Sequence, residues 1–210
     1  MSQRVLLAIG VVAIASSVVI GAAVFGTGNG FLGARSISID QAQQSVQSFL
    51  QQTGDQDLQI DELMEFQDNF YALIMERSTG IGAFELLVRK SDGWVGFEPG
   101  PNMMWNTKYS AMGNGMMGPG MMGGGPFRTG SANPTMTVSA ERATQIAQAW
   151  LDRNLSGDVA GTPDAFYGYF TFHFEKAGKI AGMLSVNGFT GQVWFHTWHG
   201  AFVQARDFGK

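Results

Sequence analysis

The 210-residue sequence predicts an α+β fold: two tandem helix-plus-antiparallel-meander units, preceded by one transmembrane helix. Three observations carry that expectation. A 21-residue run near the N-terminus has no charge, two later stretches repeat one pattern at an offset of 101 residues, and after each the apolar period changes from 3.6 to 2.

The uncharged run VLLAIGVVAIASSVVIGAAVF covers residues 5 to 25. As a helix it spans ~31 Å, about one bilayer core. Arg4 precedes it and the next basic residue is Arg35, so the positive-inside tendency puts residues 26 to 210 outside the cytoplasm of a single-pass cell-membrane protein. The competing reading is a cleaved signal peptide, for which the apolar core is long but Gly21-Ala22-Ala23 supplies small residues for cleavage. Residues 1 to 35 are thus read as anchor and linker.

The first unit, residues 36 to 100, opens on SISIDQAQQSVQSFLQQ from Ser36, and the second, residues 136 to 210, on TVSAERATQIAQAWLDR from Thr137. At the constant offset Ser38 meets Ser139, Asp40 meets Glu141, Ala42 meets Ala143, and Phe49-Leu50 meets Trp150-Leu151. Each serine suits a helix N-cap with an acid in the first turn, and Ser38-x-x-Gln41 has capping-box spacing. Ile39, Ala42, Val46, Phe49 and Leu50 form one apolar stripe; Ala143, Ile146, Ala147, Trp150 and Leu151 form the other.

Strands follow each helix. In the first unit Phe70, Ala72 and Ile74, then AFELLV over 83 to 88, read as two strands around STGIG, with Asp92-Gly93 turning into WVGF. In the second, YFTFHF over 169 to 174 puts Phe170, Phe172 and Phe174 on one face; Ala177-Gly178-Lys179 turns it into IAGMLSV, and NGFTG leads into QVWFHTW. A unit of ~60 residues is marginal alone, so the two should pack together, with the tail AFVQARDF.

These units resemble the PepSY domain. The resemblance lies in the order of helix and turns and above all in Val186-Asn187-Gly188-Phe189-Thr190-Gly191-Gln192-Val193, beside the family's D-x-x-T-G-E-V hairpin. Asn187 and Gln192 depart from that pattern, and the first unit keeps a shortened form around Asp92-Gly93-Trp94-Val95. It covers residues 36 to 98 and 137 to 198. The resemblance implies a cell-envelope binding or regulatory module, similar to parts of protease propeptides that inhibit peptidases, and carries over no catalytic residue.

Between the units, residues 101 to 135 form a Met/Gly-rich loop. Met103, Met104, Met112, Met116, Met117, Met121 and Met122 are seven of the chain's twelve methionines. Thioethers are soft ligands that suit Cu(I) or Ag(I), and methionine is equally an adaptable filler at contacts. All three histidines fall in the second unit. HTWH offers His196 and His199 as ligands, although in an extended strand residues three apart point to opposite faces; only a bend near Gly200 brings them together. A composite of one histidine with loop methionines is a further arrangement. Trp150 reads as packing and Trp105 as the functional tryptophan.

Other classes find no footing. Net charge is -4 without a Lys/Arg cluster, which excludes a nucleic-acid surface, and zero cysteines exclude disulfides and thiolate chemistry. No GxSxG, HExxH or Walker motif occurs, and Asp61-Glu62, Asp55 and Asp57 read as solvated carboxylates. The expectation is binding without catalysis: a membrane-anchored envelope protein that captures Cu(I) or Ag(I) through its loop. The alternative is an accessory or peptidase-regulating subunit that docks on a protein partner.

Overall fold

The computed structural model describes residues 36–109 and 134–209. The chain runs α1 (Ile39–Thr53), β1 (Leu58–Phe66), β2 (Asn69–Glu76), β3 (Gly82–Arg89), β4 (Val95–Phe97) and the short α2 (Pro101–Met104). After the connector come α3 (Ala140–Asn154), β5 (Asp158–Phe166), β6 (Tyr169–Lys176), β7 (Lys179–Asn187), β8 (Val193–Phe195) and β9 (Phe202–Asp207). α1 starts where it does because Ser38 and Gln41 close a capping box: the Ser38 hydroxyl accepts the Gln41 N–H at 3.2 Å, and the Gln41 side chain accepts the Ser38 N–H at 2.9 Å. Ser139 caps α3 by accepting the Arg142 N–H at 3.2 Å.

The separate-unit architecture is corrected by the sheet. All nine strands of the described residues belong to one mixed sheet, ordered β8-β7-β6-β5-β3-β2-β1-β9, with β4 also on β3. β5 joins β3 in parallel through Gly82 and Phe166, where a Cβ on Gly82 would sit 2.5 Å from the Phe166 ring. A side chain at position 82 would therefore have to displace the Phe166 ring from this junction. The C-terminal tail is no loose appendage: β9 returns to pair antiparallel with β1, Glu62 opposite Asp207. Among the described residues no helix is long and apolar enough to cross a membrane. The transmembrane helix expected over residues 5 to 25 lies outside the described residues and gains no support from the fold.

Alternation explains the layers. Phe70, Ala72, Ile74, Phe84, Leu86 and Val88 face α1, whose Ile39, Ala42, Val46 and Leu50 are buried against them. Phe170, Phe172, Phe174, Leu184 and Val186 face α3. The opposite sheet faces then meet each other, with Met64, Phe66, Tyr71 and Leu73 from the first half sharing a third cluster with Phe166, Tyr169 and Met183 from the second. Helices lie outside and a sheet-on-sheet interior lies within. Polar side chains occupy the centre of that interior.

Residues 101 to 109, the head of the expected loop, pack into the fold. Asn102 Nδ2 donates to the Glu85 carbonyl at 3.0 Å, and its Oδ1 accepts the Glu85 N–H at 3.2 Å. Lys108 and Tyr109 both reach the Glu76 carboxylate, which also accepts the Tyr167 hydroxyl at 2.5 Å. One buried acid thus ties together β2, the connector and the second half.

Candidate metal centre

Each half ends its fourth strand in the same way. Val95-Gly96-Phe97 is β4 and Val193-Trp194-Phe195 is β8, and the next residue is Glu98 in one case and His196 in the other. Both stop the strand with one backbone bond to the preceding strand: Glu98 N–H to the Glu85 carbonyl at 3.0 Å, His196 N–H to the Met183 carbonyl at 3.1 Å. Because the inner sheet faces meet, these equivalent positions converge. The extended chain ends at Phe195, so the alternation that would separate His196 from His199 no longer applies. The two rings lie 5.6 Å apart between centroids.

Among the described residues, Glu98, His196 and His199 place their ligand atoms all within 4.8 Å of one another. Glu98 Oε1 is 3.4 Å from His196 Nδ1 and 3.0 Å from His199 Nε2. The residues are 0%, 4% and 2% exposed. His199 stacks on Phe66 at 4.5 Å, and His196 on Trp198 at 4.8 Å. The Trp198 indole N–H donates to Glu98 Oε1 at 3.1 Å.

The surrounding bonds decide which ring nitrogens carry hydrogen. Asn69 Nδ2 donates to the Trp198 carbonyl at 2.8 Å, which turns Asn69 Oδ1 toward His199 Nδ1 at 2.9 Å. His199 Nδ1–H is therefore the donor, and in the neutral ring Nε2 is a bare lone pair. For His196 a hydroxyl chain does the same. With Thr171 donating to Glu85 Oε1 at 2.8 Å, Ser185, 2.9 Å away, is set to donate to Thr171 and to accept from His196 Nε2–H at 3.0 Å. His196 Nδ1 is left bare. Two lone pairs and a carboxylate oxygen thus face one point, each ring oriented by a buried polar partner on its far side.

His196 Nδ1, His199 Nε2 and Glu98 Oε2 all lack a hydrogen-bond partner despite complete burial. The short N···O separations do not bring an N–H into line with oxygen, which argues against a simple proton bridge. Two ligands ~2.0–2.1 Å from a tetrahedral ion stand about 3.3 Å apart. The observed 3.0 and 3.4 Å fall on either side of that value. Burial by itself raises the Glu98 pKa; when His196 and His199 carry protons toward it, their charge and hydrogen bonds outweigh burial and bring the group down to about 2.

No family model matches the chain, and no curated protein does. Among solved structures, the C-terminal domain of YpeB from Bacillus megaterium is similar at 14% identity over 76% of this chain, with a TM-score of 0.25. The chain spans 62% of that domain. A likeness of this strength carries no argument about fold or site.

Of the ligands expected from sequence, His196 and His199 come together, and their third partner is Glu98. Met103 is half-buried and Met104 exposed on α2; Met112, Met116, Met117, Met121 and Met122 lie outside the described residues. Trp105 packs edge-on against Trp194 at 6.0 Å. Trp150 stacks on Phe195 at 5.3 Å, on the α3 side of the sheet. Asp61 and Glu62 are half-buried in β1, not solvated as expected, and Glu62 Oε2 lies 3.4 Å from His173 Nε2. Glu98 could have been found by setting Val95-Gly96-Phe97-Glu98 against Val193-Trp194-Phe195-His196.

Proposed function

We propose that this protein is a non-catalytic binding module of the cell envelope whose ligand is a divalent first-row transition ion, held by Glu98, His196 and His199. The observation that carries this reading is the convergence of a carboxylate and two imidazole nitrogens in the interior, with Glu98 Oε2, His196 Nδ1 and His199 Nε2 buried and without hydrogen-bond partners. Two nitrogens and one oxygen suit Zn(II) or its neighbours better than Cu(I), which prefers thioethers and thiolates. The connector's methionines remain a separate, softer proposal for Cu(I) or Ag(I). The envelope placement and the binding role draw on the charge pattern around residues 4 to 35 and on the PepSY resemblance.

Titration of Co(II) into the metal-stripped chain tests the centre. One equivalent should bind with the visible bands of a four- or five-coordinate ion, and Zn(II) should displace it. Glu98→Gln and His196→Ala should each weaken binding by about 100-fold or more, beyond the 10–100-fold typical of outer-shell partners. Equal uptake by wild type and both variants would reject the site. Titration of Cu(I) into a variant with the seven connector methionines changed to leucine tests the softer proposal independently.

A further inference from the structure

Between β8 and β9 lie residues 196 to 201, which carry both histidines and also clasp the β1–β2 turn. Gln67 N–H donates to the Ala201 carbonyl at 2.7 Å and Asp68 N–H to the His199 carbonyl at 3.0 Å. Asn69 reaches the Trp198 carbonyl from the same turn. Gly200 takes φ +72°, and a side chain there would lie 2.7 Å from Asp68 Oδ2, so the crossing fits tightly. Past this clasp, β9 is anchored by Phe202, half-buried edge-on against Phe66 at 5.8 Å, and beyond that residue it has little burial. Val203, Gln204, Ala205 and Asp207 are exposed, and its side-chain ties, Gln204 to Glu65 and Arg206 to Asp40, sit at the surface.

We propose that ion binding at Glu98, His196 and His199 latches β9 onto the edge of β1, and that the empty centre lets β9 come away. The proposal rests on the metal reading above. Without an ion, Glu98 Oε2, His196 Nδ1 and His199 Nε2 are buried together unsatisfied, and lifting residues 196 to 201 outward hydrates them. The strand beyond, held by its ladder to β1, the Phe202–Phe66 contact and the Phe208 N–H to Asp61 carbonyl bond, is freed with them. An ion reverses the preference. Glu98 belongs to the first half and the histidines to the segment that must lift, so coordination spans the joint that opening breaks.

Hydrogen exchange read by mass spectrometry on the full chain, saturated with Zn(II) or stripped with chelator, tests the latch. Zinc should slow exchange about tenfold or more in residues 202 to 207 and in their partners at 62 to 66, with residues 169 to 176 of β6 unchanged. Equal β9 exchange in both states, while calorimetry shows zinc bound, overturns the latch alone. Uniform slowing across β6 and β9 also overturns it, as global stabilisation. Failure to take up zinc overturns the centre and the latch together.

Discussion

Glu76 is 1% exposed and still ionised, because Lys108, Tyr109, Tyr167 and Thr79 all donate to it. Burial pulls its pKa upward, but the Lys108 and tyrosine bonds win and bring it from 4.5 to about 2. A depressed carboxylate stabilises the fold fully above its unfolded value and loses that contribution as pH falls from 4.5 through about 2. A shift of this size is worth on the order of 3 kcal/mol. Glu76→Gln should therefore flatten the acid limb of stability across that window and cost about 3 kcal/mol at pH 7, both read by urea unfolding. Asp164 has the opposite sign: burial, then Asp61, raises it from 3.8 to about 7. Its stability cost appears as pH rises from 3.8 toward 7 and is complete above that. Asp164→Asn should raise the melting temperature at pH 8 and leave it unchanged at pH 3.5; a gain of equal size at both would contradict the assignment.

At the level of elements, the helices were the legible part. The stripes Ile39, Ala42, Val46 and Leu50, and Ala143, Ala147 and Leu151, were readable from spacing and are the buried faces. Ser38→Ala should cost about 1 kcal/mol in urea unfolding through the lost cap. Three strands were missed: β9, read only as a tail, and β1 and β5, which share one reason. β1, LQIDELMEF, carries a bulge between Ile60 and Glu62, so Leu58, Ile60 and Leu63 all face α1 although the count between them is uneven. β5, DVAGTPDAF, has a bulge between Ala160 and Pro163 and contains both glycine and proline. A period-2 search fails where the period is interrupted, and Asp61-Glu62 then looks like a solvated turn.

The whole molecule hides its inner layer from a strand-by-strand reading. Glu85, Thr171 and Ser185 alternate with core residues and so resemble a water-facing side, yet all three are 0% exposed because the two halves present those sides to each other. Only the pairing of halves makes the polar face an interior, and no local pattern encodes that pairing. It also makes metal loading a property of the complete fold. Zinc at 100 times its dissociation constant should add about 2.7 kcal/mol, a melting-temperature rise of about 5–10 °C for a domain of this size, abolished by chelator and by His199→Ala. The return of β9 to β1 bears on biosynthesis as well. Glu62 and Asp207 are partners in the ladder, yet about 140 residues must be translated between the two strands, roughly 7–28 s at ordinary elongation rates. Throughout that interval the nascent first half shows the ribosome's surroundings a raw β edge, so holdase protection during synthesis is part of what this topology demands.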